Sequence, residues 1–347
     1  MPDLWGRARV IQAVRRFFDQ RGFLEVETPL RIPAPAPEPH LLPQPAGRWF
    51  LQTSPELCMK RLLARGHARI YQLCKCFRRA ERGRRHVPEF TMLEWYRAGA
   101  DYLALMDDSE QLLSAVATEL ALAAAGDDQA RGLASRPKVV ALADDAAGGA
   151  GVTDLLGATE PAGRPAVAVP VTLPVPGKPG RQISLALPWE RLSVAEAFRR
   201  YTDLEADEAV RLELFDQLLV EKIEPHLGFT RPTFLYDYPA PLAALARRKP
   251  GRPELAERFE LYVAGLELAN GFSELIDPVE QRRRFQADRR QIRAAGHKPP
   301  PMPEPFLAEL NAMPEAAGIA LGVDRLVMIM LGRERIDEVL AFTPEIL

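Results

Sequence analysis

Two strand-like segments, joined by a short arginine-rich connection, constrain the fold of this chain most strongly. The segments are IYQLCKCF and EFTMLEWYR, and the stretch CFRRAERGRRHVPEF that joins them carries five arginines in fifteen positions. A connection of this kind between two aromatic and apolar strands favours antiparallel pairing, because parallel strands are usually joined through a helix. The sequence therefore predicts an antiparallel sheet, with the arginines between two neighbouring strands.

The second of these strands has one charged position on an otherwise apolar face. Alternation places Phe90, Met92, Glu94 and Tyr96 on one face and Thr91, Leu93 and Trp95 on the other. A buried carboxylate without a partner costs on the order of several kcal/mol. Glu94 therefore indicates a site that receives a cationic group.

The remaining pattern interleaves strands and helices without the regular alternation of a doubly wound sheet. Helices are predicted from about Leu4 to Gln20, from Asp101 to about Ala125, from a capping box at Ser193 to about Glu224, and from a cap at Asp277 to a stop at Gly296. RFELYVAG and LELANGFSEL predict a hairpin that turns near Gly265, and GIALGVDRLVMIMLG a strand that leads into a helix near Asp324. The predicted class is α+β, an antiparallel sheet flanked by helices.

Composition limits the possible functions. The 347 residues include 45 basic and 47 acidic side chains, which leaves no overall field of the kind that draws a protein onto nucleic acid. No apolar run reaches the roughly 18 residues of a membrane span, and the start lacks the apolar block of a signal peptide, so we expect a cytoplasmic protein. Cys58, Cys74 and Cys76 lack the spacing of a zinc site and are predicted to be structural. Residues 126–188, rich in Ala, Gly and Pro, predict an insertion with little regular structure.

Three stretches resemble, in the right order, the signature motifs of class II aminoacyl-tRNA synthetases. They are GFLEVETP, YQLCKCFRRAERGRRHVPEFTMLEWYR and GIALGVDRLVMIMLG. TSPELCMKRLL, PEFTMLEWY and ELANGFSEL are similar to the lysyl-tRNA synthetase forms of those regions. The first motif begins only about twenty residues from the start, so we expect one catalytic domain over residues 1–347 and no anticodon-binding domain. This organisation resembles truncated paralogues that attach a lysine-type amino acid to elongation factor P.

The resemblance implies an activity. The family activates lysine or (R)-β-lysine with ATP and Mg²⁺ as the aminoacyl-adenylate, and then transfers the aminoacyl group to a lysine of elongation factor P. It also implies a homodimer with the first motif at the interface, no stable tRNA binding and no membrane association. Two alternatives stay open: aminoacylation of tRNA or another carrier by a truncated core, and a noncatalytic paralogue that binds a ligand and regulates.

The resemblance also implies the nucleotide site. Its residues are Arg78, Arg79, Ala80, Glu81, His86, Val87, Phe90, Glu267, Leu268, Gly322 and Arg325. Arg78 matches the arginine that bridges the amino-acid carboxylate and the α-phosphate, and Arg325 the one that holds the γ-phosphate end, so both are predicted to be catalytic. Glu260 and Glu267 match the acids that hold magnesium.

The implied amino-acid site consists of Ser54, Pro55, Glu56, Glu94, Tyr96, Asn270, Phe272, Glu274 and Ala320. In the family's pattern Glu56 holds the amine nearer the reacting carboxylate, Asn270 the carboxylate end, and Glu274 with Tyr96 the far ammonium. Ser54 and Ala320 stand where lysyl-tRNA synthetases usually have Ala and Gly. The added hydroxyl and methyl group suggest a pocket shaped for (R)-β-lysine.

Two positions depart from the family's pattern. Ala80 stands where a glutamate usually contacts adenine, and Glu81 follows one step later. Val87 replaces the asparagine of the usual HNPEF. We therefore expect nucleotide affinity to differ. Of the other arginines in this stretch, Arg84 and Arg85 are candidates for phosphates or the acidic acceptor, and Arg79 and Arg82 are expected to be solvated.

Overall fold

The computed structural model describes residues 2–131 and 172–347, with the backbone alone for residues 124–131. Its α-helices are α1 Leu4–Asp19, α2 Glu56–Ala64, α3 Tyr102–Arg131, α4 Val194–Tyr201, α5 Ala206–Arg211, α6 Phe215–Leu218, α7 Pro278–Ala294, α8 Glu304–Glu309 and α9 Val323–Met330. Its strands are β1 Leu24–Glu25, β2 Arg31–Ile32, β3 Pro45–Ala46, β4 Trp49–Leu51, β5 Arg69–Phe77, β6 Glu89–Ala98, β7 Thr172–Pro174, β8 Gln182–Ser184, β9 Glu190–Ser193, β10 Thr233–Pro239, β11 Arg248–Lys249, β12 Arg252–Val263, β13 Leu266–Ser273 and β14 Ala316–Gly322.

One large sheet organises these elements. Its order is β1-β5-β6-β14-β13-β12-β10-β9, with β11 beside β12. β1 runs parallel to β5 and β9 parallel to β10, whereas the pairs from β5 through β14 to β10 are antiparallel. The predicted class, α+β with an antiparallel sheet flanked by helices, is confirmed.

The two predicted hairpins lie at the centre of this sheet. In β5 and β6, Ile70 pairs with Tyr96 and Cys76 with Phe90, so the arginine-rich stretch connects two neighbouring strands. β12 and β13 turn through Ala264 and Gly265, whose φ values are 55° and 69°. Positive φ at both positions suits a two-residue hairpin turn, because its twist matches that of the strands.

The sheet has one core face and one face that forms a site. Trp95 of β6 is fully buried on the core face, where its ring lies 5.3 Å from that of Phe18 in α1. Residues of α3 and α9 complete this apolar layer. The alternate residues of β6, from Phe90 to Tyr96, therefore point to the opposite face, as the alternation predicts.

The prediction of one helix from Ser193 to about Glu224 is wrong. The capping box of Ser193 and Glu196 is present, but α4 ends at Tyr201, and α5, α6 and a π-helical turn follow. The hydroxyl of Thr202 bonds locally to the carbonyls of Phe198 and Leu204, and such local bonds compete with helix continuation. The break allows Phe198 and Phe215 to stack with 4.8 Å between their ring centroids.

Both described ends of the predicted insertion have regular structure, contrary to expectation. α3 continues to Arg131, and β7 and β8 form a hairpin with buried Leu173 and Ile183. These side chains join the main apolar core, which explains the order of this end. Residues 132–171 of the predicted insertion lie outside the described residues.

The described ranges include no helix long and apolar enough to cross a membrane. They also contain no group of three or more acidic, histidine or cysteine side chains arranged as a metal site. Cys58, Cys74 and Cys76 are free thiols, and Cys76 is fully buried.

Candidate active site

Strand register brings the central polar residues into one row. Glu94 of β6 pairs with Ala320 of β14, Ala320 with Asn270 of β13, and Asn270 with Glu260 of β12. Residues directly opposite each other in a sheet share a face. Four strands distant in sequence therefore present these side chains to the same side.

The neighbouring row depends on a glycine. Gly318 of β14 lies between Tyr96 and Phe272. A Cβ atom at this position would lie 2.2 Å from the Tyr96 ring and 2.5 Å from a carboxylate oxygen of Glu274. Only glycine therefore lets these two side chains take their places.

A cavity of about 320 Å³ opens over these rows. The predicted residues that line it are Ser54, Glu56, Arg78, Glu81, His86, Val87, Phe90, Glu94, Tyr96, Glu267, Leu268, Asn270, Phe272, Ala320, Gly322 and Arg325. The predicted residues outside its immediate lining are Pro55, Arg79, Ala80, Glu260 and Glu274. The two predicted subsites thus belong to one continuous space of a size suited to small ligands.

One end of the cavity is acidic. The hydroxyls of Ser54 and Tyr96 donate to the two carboxylate oxygens of Glu94, at 2.6 and 2.8 Å. Burial and the charge of Glu56 raise the pKa of Glu94 to about 8, although these two hydrogen bonds oppose the rise. Tyr96, predicted together with Glu274 to hold the far ammonium, thus donates a hydrogen bond from its hydroxyl to Glu94. Glu94 is therefore the centre of this end.

A buried lysine joins the other two acids. Nζ of Lys60 lies 2.5 Å from Glu56 and 2.6 Å from Glu274. Burial raises the pKa of Glu274 to about 8 against the opposing effect of Lys60. Lys60 follows Glu56 by four residues on α2, a spacing that puts both side chains on one helix face.

The opposite end is cationic. Nη1 of Arg325 donates to the carbonyl of Glu267 at 2.6 Å, and its Nη2 lies 2.5 Å from Nε2 of His86. Desolvation and the charges of Arg325, Arg78 and Arg85 lower the pKa of His86 to about 4, so the neutral ring accepts this hydrogen bond. Desolvation and Arg325 also lower the pKa of Arg85. Crowded cations of this kind are relieved by an anion such as a phosphate chain.

Arg78 stands between the two ends. Its guanidinium carbon lies 5.1 Å from the centre of the Phe90 ring, and one terminal nitrogen lies 3.9 Å from Glu81. Its Nε is buried and has no hydrogen-bond partner within the described residues. A buried donor without a partner is costly, so this group is available to a ligand.

Two acids are suited to a hard cation. A bulge between Leu261 and Tyr262 interrupts the pairing of β12 with β13 and turns Glu267 to the face that carries Glu260. Burial and the negative charge of Glu260 raise the pKa of Glu267. Glu260 accepts hydrogen bonds from Arg258 and Tyr262 and keeps further lone pairs. A divalent cation held by both acids would offset their repulsion, so these residues fit Mg²⁺.

The residues of the arginine-rich stretch differ in exposure and in contacts. Ala80 is exposed with φ 66°, whereas Glu81 lines the cavity beside Arg78. The side chain of Arg79 is exposed, and its backbone N–H donates a hydrogen bond to the carbonyl of Leu42. Arg82 is exposed, as expected, and forms surface ion pairs with Glu345 and Asp337.

Comparison with known proteins now identifies the family. The family model described as tRNA synthetases class II (D, K and N) matches residues 3–345. The chain belongs to this family. It is 38% identical over 351 residues to the elongation factor P (R)-β-lysine ligase of Proteus mirabilis, covering 98% of this chain and 94% of the relative. The same-named ligases of Klebsiella pneumoniae and Erwinia tasmaniensis are 38% and 40% identical over 376 and 352 residues, covering 99% and 98% of this chain and 95% and 94% of theirs.

Membership of the class II tRNA synthetase family implies use of ATP, for which the cationic end of the cavity is suited. Residues missed from sequence include Glu38, Arg258 and Gly318, which line the cavity, and the buried Lys60, which pairs with Glu56 and Glu274. The Glu56–Lys60 spacing was a usable signal for one of them. The other residues reach the cavity through strand register or through the path of a loop, and no local sequence pattern predicts either.

Proposed function

We propose that this protein activates (R)-β-lysine, or lysine, with ATP and transfers the aminoacyl group to a lysine side chain of elongation factor P. One observation carries the proposal: a single cavity joins a cationic end with Arg78, Arg85 and Arg325 to an acidic end with Glu56 and Glu94. A nucleotide and a diamino acid bound in these ends would meet at Arg78. The names and coverage of the similar ligases support this choice of substrates.

In the first step, the amino-acid carboxylate attacks the α-phosphate, although both groups are anionic. Arg78 is placed to contact both, and a fixed charge of this kind lowers the cost of the approach. Arg325, fixed by its hydrogen bond to Glu267, is placed to hold the γ-phosphate end. Phe90 offers its ring to adenine, beside which Glu81 is the acid available in place of Ala80.

Magnesium would bind at Glu260 and Glu267, where it would neutralise phosphate charge. Contacts within the protein orient both acids. Arg258 and Tyr262 orient Glu260 through bonds of 2.6 and 2.7 Å, and Arg325 approaches Glu267 at 3.5 Å.

At the acidic end, Glu94, Glu274 and Tyr96 would hold the far ammonium and Glu56 the nearer one, with Asn270 at the carboxylate. The methyl group of Ala320 lies between Glu94 and Asn270, and the Ser54 hydroxyl bonds Glu94. Both groups add atoms to the amino-acid end of the cavity. This supports the preference for (R)-β-lysine.

We further propose that the chain works in the cytoplasm as a single catalytic domain within a homodimer. Exposed apolar side chains near the first motif support the dimer. Leu24, within this motif, and Leu30, directly after it, are 51% and 42% exposed. Sedimentation at several protein concentrations tests the dimer, and a monomer throughout would reject it.

The decisive experiment measures both half-reactions. ATP/pyrophosphate exchange is followed with lysine and with (R)-β-lysine, and elongation factor P and tRNA are then weighed by mass spectrometry after incubation. We expect exchange with both, a lower KM for (R)-β-lysine, modified elongation factor P and unmodified tRNA.

A matched variant guards against contaminating activity. Arg78→Ala should lower exchange by about 10²–10³-fold, since it removes a donor aimed at transition-state charge. Absence of exchange with either amino acid would favour a regulatory binding protein, and labelled tRNA with unmodified elongation factor P would favour a carrier synthetase.

A further inference from the structure

The transfer step needs a group that accepts a proton. The acceptor lysine of the proposed function, on which this inference rests, carries an ammonium with a pKa of about 10.4 and must lose a proton before it attacks. The base must therefore lie in the same cavity as the adenylate, near its reacting end. It must also be reachable from outside by a protein side chain.

Most ionisable groups of the cavity are already engaged. Glu94 and Glu274 are only 1% and 2% exposed and are held by Ser54, Tyr96 and Lys60. His86 has its pKa lowered to about 4 and accepts a hydrogen bond from an arginine. None of them combines access with proton affinity.

Glu38 is different. It lies in residues 33–44, the proline-rich segment between β2 and β3, and lines the cavity together with Leu41. The segment is fixed to the arginine-rich stretch, because the backbone N–H of Arg79 donates to the carbonyl of Leu42 at 2.9 Å. The Glu38 side chain is half-buried, and within the described ranges its carboxylate makes no hydrogen bond or ion pair.

The charges that face Glu38 come from several elements. Burial, followed by the opposing charge of Arg78 and then the charges of Glu56 on α2 and Asp288 on α7, sets the pKa of Glu38 at about 7, and Arg258 on β12 lowers it slightly. Arg78 and Glu56 are the residues proposed for the reacting carboxylate and the nearer amine. Glu38, which lines the cavity and experiences the charges of both residues, is therefore near the place where the two substrates would meet.

We propose that Glu38 is the catalytic base of the transfer step. Its carboxylate takes one proton from the acceptor ammonium, and the freed lone pair attacks the acyl carbon of the adenylate. The new C–N bond forms, the bond from the acyl carbon to the phosphate oxygen breaks, and AMP leaves with that electron pair. The second proton of the nitrogen passes to water.

The raised pKa of Glu38 favours its role as proton acceptor. A pKa of about 7 lies closer to that of the acceptor ammonium than the ordinary value of 4.5 does, so the transfer of the proton is less unfavourable. At neutral pH a useful fraction of Glu38 is still ionised and ready to accept it.

The test separates the two half-reactions. Wild type and Glu38→Gln are loaded with (R)-β-lysine and ATP in the presence of pyrophosphatase, and single-turnover transfer to elongation factor P is followed from about pH 6 to pH 9. We expect the transfer rate of Glu38→Gln to be roughly 10²–10⁴-fold lower than that of the wild type. The increase of this rate with pH near pH 7 should also disappear. Exchange, and the KM for (R)-β-lysine in exchange, should stay within about twofold, which also shows that the variant is folded.

Two further variants sharpen the result. Glu38→Asp should recover part of the transfer rate and keep the rise near neutral pH. Asp288→Asn removes a charge that raises the pKa of Glu38, so the rise should move to lower pH while the maximal rate is kept.

Three outcomes are distinguishable. Wild-type transfer by Glu38→Gln with an unchanged pH profile would overturn the assignment. So would a raised KM for (R)-β-lysine with normal transfer from the preformed adenylate, which would make Glu38 a binding group for the substrate amine. Exchange without any wild-type transfer to elongation factor P would instead reject the proposed function.

Discussion

Nζ of Lys60 lies 2.6 Å from a carboxylate oxygen of Glu274, and neither side chain is exposed to solvent. With Glu56 and Glu94, this pair forms a group of three acids and one base, which carries two net negative charges when all are ionised. A diamino acid brings two ammonium groups. Lys60 thus reduces the charge of this group from three negative charges to two, which equals the number of ammonium groups on the proposed substrate.

We expect Lys60→Met to destabilise the folded protein, with a larger effect at high pH. Removal of one partner from a buried ion pair costs about 3–5 kcal/mol, because the other charge remains buried. Without Lys60 the pKa of Glu274 rises above its present value of about 8, so at low pH the acid is protonated and the penalty shrinks. Urea unfolding at about pH 6 and pH 9 measures this difference.

The double variant Lys60→Met with Glu274→Gln is the control. It leaves no unpaired charge at position 274 and should recover part of the free energy of unfolding. A loss of stability that is the same at both pH values would contradict an electrostatic role for Lys60.

Binding of the amino acid should strengthen as pH rises to about 8. Burial raises the pKa values of Glu94 and Glu274 to about 8, so below this pH the empty pocket is partly protonated. A diammonium substrate binds the ionised acids and therefore releases protons. The KM for (R)-β-lysine in exchange should fall by at most about tenfold per pH unit for each proton released, and level off above pH 8.

Glu94→Gln provides the comparison for this pH dependence. This variant should raise the KM. It should also reduce the slope of log KM against pH by up to one unit, because one proton fewer is released on binding. A wild-type KM that stays constant from about pH 6 to pH 8 would show that the acids are already ionised in the empty pocket.

Gly318→Ala should remove amino-acid binding while Gly322→Ala spares it. A methyl group at position 318 meets the Tyr96 ring and Glu274, whereas at position 322 the nearest atom is Arg325 Cδ at an ordinary 3.5 Å. We expect the first variant to lower kcat/KM for the amino acid by about 100-fold or more.

The second variant should keep its fold and raise mainly the KM for ATP, because Gly322 lines the nucleotide end. Exchange kinetics with each substrate varied in turn measure both effects. Equal effects of the two variants on the amino acid would contradict the assigned positions of the two subsites.

Local patterns were sufficient for much of the architecture. Alternation in EFTMLEWYR assigned Glu94 and Tyr96 to one face and Trp95 to the other, and the structure shows that the first face lines the cavity and the second is buried in the core. The caps at Ser193 and Asp277 were equally legible, because each depends on residues within one helical turn.

What local patterns missed depends on distant contacts. Glu267 reaches the site face through a bulge, which strict alternation from Asn270 does not predict. Gly318 is required by Tyr96 and Glu274, which lie on other segments. Glu38 reaches the cavity through the path of a loop without regular structure. The sequence therefore contains no sign of its proposed role, which depends on the folded structure.

The end of the chain should contribute to ATP binding through Arg82. Two nitrogens of Arg82 lie 2.7 and 3.0 Å from the carboxylate of Glu345, and a third nitrogen lies 3.0 Å from Asp337. The backbone N–H of Ile336 also donates to the carbonyl of Arg84 at 2.9 Å. These contacts hold the connection that carries Arg78.

Because exposed ion pairs contribute little individually, we expect Glu345→Gln to raise the KM for ATP by only about two- to fivefold, with the KM for the amino acid unchanged. The effect should shrink at high salt, and Arg82→Gln combined with Glu345→Gln should match Arg82→Gln alone, since the loss of Arg82 already removes the contact with Glu345. Arg283→Gln removes a similar exposed pair with Glu280 on α7 and should leave the KM for ATP unchanged. Equal effects of Glu345→Gln and Arg283→Gln would mean that the contact with Arg82 does not position the nucleotide site.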